Sequence, residues 1–112
     1  MNLLKNAVLV TKESKLEYDR RRLGWPTERL LAWYQDRAGV IAASHERQVR
    51  VRARLAALLP ELRVVAREDA AGAGLDEASM VIALGGDNHF IYVSHLLTRA
   101  PLLGINADRV RS

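Results

Sequence analysis

The run Met80-Val81-Ile82-Ala83-Leu84-Gly85-Gly86-Asp87-Asn88-His89-Phe90 decides how the rest of the chain is read. Five apolar residues lead without interruption into two glycines, a carboxylate and an amphipathic stretch. A short continuous apolar run closed by glycines reads as a strand buried on both faces, followed by a tight loop and a helix. Glycine has no Cβ, so the backbone at Gly85 and Gly86 can bend sharply and approach a ligand closely. The helix beyond directs its unpaired N–H groups, and the positive end of its dipole, at the loop. Asp87 does not favour a bare phosphate there. It suits a Mg²⁺ carried on phosphates, or a hydroxyl that must lose its proton.

Outward from that loop, Asn6 to Thr11 is a valine-rich apolar run and reads as a first strand, buried on both faces. Lys12 to Leu23 is highly charged and reads as a loop or exposed helical turn at the strand's carboxyl end. Ligands of open α/β sheets bind at that end, so Lys12 or Arg20-Arg21-Arg22 could meet phosphates; a solvated charge run is the alternative. Gly24-Trp25-Pro26-Thr27 marks a break and a helix start, with Leu30, Leu31, Trp33 and Tyr34 as the packing residues of a helix over Glu28 to Arg37. Gly39 is expected to break it. Val40 to Leu59 then carries the main crossover helix, with Ser44 as its cap, His45 near its start and Val51, Leu55, Leu58 and Leu59 as its apolar stripe. Arg47, Arg50 and Arg54 share another face.

Pro60 ends that helix. Leu62 to Ala66 reads as a second strand, Ala70 to Gly74 as a surface loop and Leu75 to Ser79 as a short turn. A helix from about Asn88 to Arg99 is expected to bury Phe90, Val93 and Leu97. Pro101 introduces a last strand, Leu102 to Asn106. This alternation predicts a three-layer α/β domain over residues 1–112 with a parallel sheet of about four strands.

Composition narrows the chemistry. The chain has 112 residues, 49% hydrophobic and 27% charged, which suits one ordinary globular domain. It has no cysteine, which excludes disulfides, cysteine zinc sites and thiol nucleophiles. His45, His89 and His95 have no spacing that makes a metal triad. No apolar run approaches the roughly 20 residues of a membrane helix. Met1 to Lys5 offers too short an apolar stretch for a secretory signal, so a cytoplasmic protein without a membrane partner is expected. The net charge of +4 tolerates nucleic acid without demanding it; an arginine-rich surface or a polyphosphate ligand accounts for it too.

Gly85-Gly86-Asp87 behind an apolar strand resembles the GGDG motif shared by NAD kinases, diacylglycerol- and sphingosine-type lipid kinases and 6-phosphofructokinases. Pro101 to Asn106 resembles the strand that follows this motif's helix in NAD kinases. Asn106-Ala107-Asp108-Arg109 with Arg111-Ser112, and Lys12 with Glu17-Tyr18-Asp19, are similar to the branch that includes the mitochondrial enzymes. The resemblance spans the chain as that family's N-terminal domain. It implies a Rossmann-like, phosphofructokinase-like fold, ATP, Mg²⁺ and NAD as ligands, and phosphoryl transfer to the 2′-hydroxyl of the adenosine ribose of NAD. It makes Asp87 the catalytic residue, and Gly85, Gly86, Asn88, His89, Phe90, Asn106 and Lys12 the nucleotide-binding residues. It also implies a homo-oligomer.

The chain departs from the family in two places. Asn88-His89 stands where the motif continues Gly-Thr, so the His89 ring is expected either to crowd a phosphate or, protonated, to add charge. Family members complete the site with a second, mostly β domain, absent from this sequence, so little or no kinase activity is expected of these 112 residues alone. The rival readings are a lipid kinase of the same superfamily and a non-catalytic nucleotide-binding or protein-interaction domain.

Overall fold

The computed structural model describes residues 5–108. Met1 to Leu4, and the Arg109, Arg111 and Ser112 used in the resemblance, lie outside them. Four strands, β1 (Ala7–Thr11), β2 (Arg63–Ala66), β3 (Met80–Gly85) and β4 (Leu102–Asn106), make one parallel sheet in the order β2-β1-β3-β4. The central pair holds the apolar runs: none of Val8, Leu9, Val10, Val81, Ile82, Ala83 and Leu84 is more than 2% exposed. The outer strands are more open, with Val64 and Leu103 about half exposed.

Side chains alternate across a strand. Leu9, Ile82 and Leu84 therefore share one face and pack with Val51 and Leu55 of α3 (Ala38–Leu58). Val8, Val10, Val81 and Ala83 share the other and pack with Val93 of α4 (Asp87–Ser94), Ala70 and Leu75. The last two come from 3-10 turns at Arg67–Gly72 and Leu75–Glu77. Covering both faces is what lets a parallel sheet keep such unbroken apolar strands.

Of the two readings of Lys12 to Leu23 the helical one holds, as a helix of more than two turns: α1 (Lys15–Leu23), set by a reciprocal cap. The Ser14 hydroxyl accepts from the Glu17 N–H (3.1 Å) and the Glu17 carboxylate accepts from the Ser14 N–H (2.9 Å). Gly24 closes the helix at φ +70°, where glycine carries no steric penalty. Leu16 of α1 joins Leu30 and Tyr34 of α2 (Thr27–Tyr34) and Ile41 of α3 in a small core of their own. Arg52 of α3 grips Glu17 at 2.8 Å and fastens this outer layer.

Three further expectations change. Gly39 lies inside α3, which begins at Ala38, so Ser44 and His45 are interior helical residues and neither caps the helix. The apolar stripe is Val51 and Leu55; Leu58 is 68% exposed. Helix α4 runs Asp87–Ser94, not Asn88–Arg99, because the Asp76 carboxylate accepts the backbone N–H groups of Thr98, Arg99 and Ala100. Those bonds hold the Asp76 carboxyl well below the usual carboxylate range. Val93 faces the sheet as expected, but His89 is buried beside it and Phe90 is left outside.

Between α2 and α3, Gln35 sits at φ 58°, ψ −124°, a conformation that strains any residue with a Cβ. Gln35→Gly is expected to raise unfolding stability by about 1 kcal/mol in urea melts, the relief exceeding the added freedom of the unfolded chain. No gain on that substitution would mean that the backbone there is not strained.

Candidate functional site

All four strands run the same way, so their carboxyl ends share one rim. Pairing of Thr11 with both Ala66 and Leu84, and of Gly85 with Asn106, brings Lys12, Arg67, Gly86 and Ala107 to that rim as the next residues along. From β1 the chain crosses to β2 on one side, and β3 returns on the other side of β1. That reversal of strand order lies between β1 and β3, where open α/β sheets hold their ligands. A cleft of about 840 Å³ opens there. Lys12, Ser14, Lys15, Ser44, Arg67, Glu68, Gly85, Gly86, Asn88 and Asn106 line it.

The N-cap of α4 is Gly86, which has no side chain to satisfy the helix's first amides. Its φ of −100° is ordinary, so the residue does not need to be glycine for the turn. A Cβ added at Gly86 would meet nothing within 4 Å; one at Gly85 would come to 2.9 Å from His89 Cδ2. The first glycine is thus required by packing, while the second borders open space at both hollows.

The charges on the cleft wall are unequal in availability. Glu13 is held by Arg21 (2.8 Å) and Asp108 by Arg47 (2.7 Å), while Lys15 is drawn to Asp19 (3.0 Å). Asp108 also accepts from the Ser44 hydroxyl (2.6 Å), which is where that buried-side hydroxyl is used. Among the described residues, Lys12 and Arg67 have no carboxylate partner, and Glu68 has no cation. Asn106 Oδ1 accepts the Asp108 N–H (2.9 Å), which leaves its amide NH₂ as the donor it can offer. The Ser14 hydroxyl lies 2.7 Å from His45 Nδ1, so His45 braces the α1 cap.

The residues selected from sequence divide into three groups. Lys12, Gly85, Gly86, Asn88 and Asn106 line the cleft. Asp87 and Phe90 instead border a hollow of about 300 Å³ next to it, which shares Gly85, Gly86 and Asn106. His89 borders neither and its ring is fully buried, so it neither crowds a phosphate nor presents a charge to one. The ring Nε2 lies 3.0 Å from the Val10 carbonyl and Nδ1 lies 3.2 Å from Arg67 Nη1. Both contacts are satisfied when Nε2–H donates to Val10 and the Nδ1 lone pair accepts from Arg67. Arg67, Ser14 and Ser44 were missed in the sequence; for Arg67 the usable signal was the apolar run Val64-Val65-Ala66 before it, the same cue that selected Lys12.

Burial lowers the His89 pKa; the Val10 bond opposes this, and the charges of Arg67 and Lys12 add to it. The folded protein therefore holds the ring neutral while the unfolded chain takes up a proton below about pH 6.5. Stability is expected to be full above that pH and to fall as the medium is acidified through it. Thermal melts between pH 8 and pH 5 check this, with His89→Asn flattening the slope. An equally steep loss in that variant would assign the titration elsewhere.

Compared with protein-family models, curated proteins and solved structures, the chain matches none. No helix among the described residues is long and apolar enough to cross a membrane.

Proposed function

We propose that the cleft receives the phosphates of a nucleotide, and that the chain is the phosphate-binding part of an NAD kinase-like phosphotransferase with a Rossmann-like, phosphofructokinase-like fold. The observation that carries this reading is the ridge Gly85–Gly86 with Asn106. It stands at the strand-order reversal, leads into an uncapped helix and has the cleft on one side and Asp87 on the other.

In this reading the polyphosphate of ATP lies on the cleft side, near Lys12, Arg67 and the first amides of α4. The accepting 2′-hydroxyl of the NAD ribose lies beside Asp87. The hydroxyl oxygen forms a bond to the γ-phosphorus, the bond from that phosphorus to the β,γ-bridging oxygen breaks, and ADP leaves with that electron pair. The hydroxyl proton passes to the Asp87 carboxylate. Phosphoryl transfer asks mainly for positioning and charge neutralisation, so an exposed carboxylate beside the hydroxyl suffices.

Among the described residues no three His, Cys, Asp or Glu gather as a metal cage. A Mg²⁺ that arrives on the polyphosphate would therefore keep most of its water, and Asp87 would meet it only where the γ-phosphate reaches the ridge. When bound, that ion neutralises phosphate charge.

Calorimetric titration of the chain with NAD, NADP and Mg-ATP tests the reading. Binding that is lost in Gly86→Val and weakened in Asp87→Ala, but kept in His95→Ala, is expected. No heat with any nucleotide would remove the kinase reading in favour of a protein-interaction domain.

A further inference from the structure

We propose that Arg67 is the anion anchor of the cleft and that His89 is the positioning residue that holds it there, so that the guanidinium takes a diphosphate edge in a bidentate grip. This rests on the phosphate-receiving reading of the cleft and names the side chain and the ligand group.

Arg67 stands apart from the cations paired in the fold. Lys15, Arg21, Arg22, Arg47, Arg52 and Arg99 each have a carboxylate within 4.0 Å. Arg67 has none among the described residues, although it is half-buried. It is nevertheless held on two sides. Its guanidinium carbon lies 4.1 Å from the centre of the Tyr92 ring, and Nη1 lies 3.2 Å from His89 Nδ1. An aromatic face and a neutral ring nitrogen fix the orientation of a guanidinium without cancelling its charge.

His89 can serve in this way because its other nitrogen is committed. The bond to the Val10 carbonyl (3.0 Å), inside fully buried surroundings, sets the tautomer and aims the Nδ1 lone pair at Arg67. The result is a pre-oriented fork whose remaining N–H groups have no partner among the described residues, on the wall of a cleft whose Glu13 and Asp108 are already neutralised. Glu68, the carboxylate left on that wall, is exposed and can turn to solvent. A fork held in this way takes a pair of anionic oxygens in a bidentate grip, which a neutral base does not offer. Lys12 adds a second, unfixed charge.

The test is titration of the whole chain with inorganic pyrophosphate and ADP, with adenosine as the phosphate-free control, at low and high salt. Circular dichroism melts establish that each variant is folded. Wild type is expected to bind pyrophosphate and ADP, more weakly as salt rises, and to bind adenosine poorly. Arg67→Gln should weaken both ligands about tenfold or more and reduce the salt dependence, and Arg67→Lys should recover part of the loss. His89→Asn places an oxygen where Nδ1 was and should stay within about threefold of wild type, by the small differences expected when a hydrogen bond is replaced in kind. His89→Gln, which reaches toward Val10 instead, should weaken both ligands several-fold but less than Arg67→Gln, since the Arg67 charge remains. If the His89 variants unfold, the Arg67 pair decides. Wild-type affinity in Arg67→Gln, together with loss in Gly86→Val, would overturn the anchor and leave the phosphate cleft standing. Adenosine binding as tightly as ADP, or no binding of either phosphate ligand, would overturn both.

Discussion

Gly85→Val is expected to lose about 2–3 kcal/mol of unfolding stability, whereas Gly86→Ala, one residue on, should stay within about 0.5 kcal/mol of wild type. The two positions look alike in sequence and have different surroundings. A Cβ at Gly85 would lie 2.9–3.0 Å from three atoms of His89. That ring has no space to retreat into, because it is fully buried and bonded to both Val10 and Arg67. Either the ring leaves, stranding the Val10 carbonyl, or β3 and α4 separate. At Gly86 the added carbon meets open space. The Gly86 substitution should show itself in ligand affinity and the Gly85 substitution in urea melts. Equal stability of the two variants would mean that His89 does not hold α4 to the sheet as described.

Asp19→Ala is the second large effect, at about 2–3 kcal/mol. Asp19 is 1% exposed, on the inner side of α1. Its Oδ2 accepts from the Tyr34 hydroxyl (2.8 Å) and from Lys15 (3.0 Å), and Arg22 approaches to 3.7 Å. Removing the carboxylate leaves the Tyr34 hydroxyl without its acceptor in the small core of α1, α2 and α3. The two cations are about half exposed, so their contribution is screened and the tyrosine bond dominates. Burial alone would raise the Asp19 pKa. The bonds from Tyr34 and Lys15, then the charges of Lys15 and Arg22, outweigh it and hold the carboxyl below its ordinary range. Its stabilisation is therefore complete above the ordinary aspartate range near pH 4 and is lost as pH falls through the lowered value. Burial, with the same contact, pushes the Tyr34 pKa up to about 12. Double replacement with Tyr34→Phe should recover much of the loss, since it removes the orphaned hydroxyl. Additive losses in the double variant would show that the bond is not the source.

The strands were legible because each is an apolar run of the length a buried strand needs, and β4 begins and ends where Pro101 and Asn106 suggested. The helices were less so. The charge of Lys12 to Leu23 hid a helix whose start, Ser14-x-x-Glu17, is a capping-box pattern written in the sequence and not weighed. Gly39 misled because it sits where no neighbour requires a side chain and the helix tolerates its absence. At the site, the rim was readable from strand ends, which is how Lys12, Gly85, Gly86 and Asn106 were found. The pairing of His89 with Arg67 was not. It joins residues 22 positions apart, and it depends on residue 89 turning inward and residue 90 outward. Val93 is buried as expected, but the inward position one turn before it falls four residues back, on His89, where the apolar pattern pointed three back, to Phe90.

Among the described residues two α-helices begin at this rim, and the first turn of α4 is the open one of the pair. Ser14 and Glu17 fill the start of α1 from within, while Gly86 leaves that of α4 bare. The mouth of the molecule is therefore electrically lopsided across its width. An elongated guest with charge concentrated at one end has a single favourable heading over the sheet, with its negative end toward β3, and the reverse heading meets a pole that is already quenched.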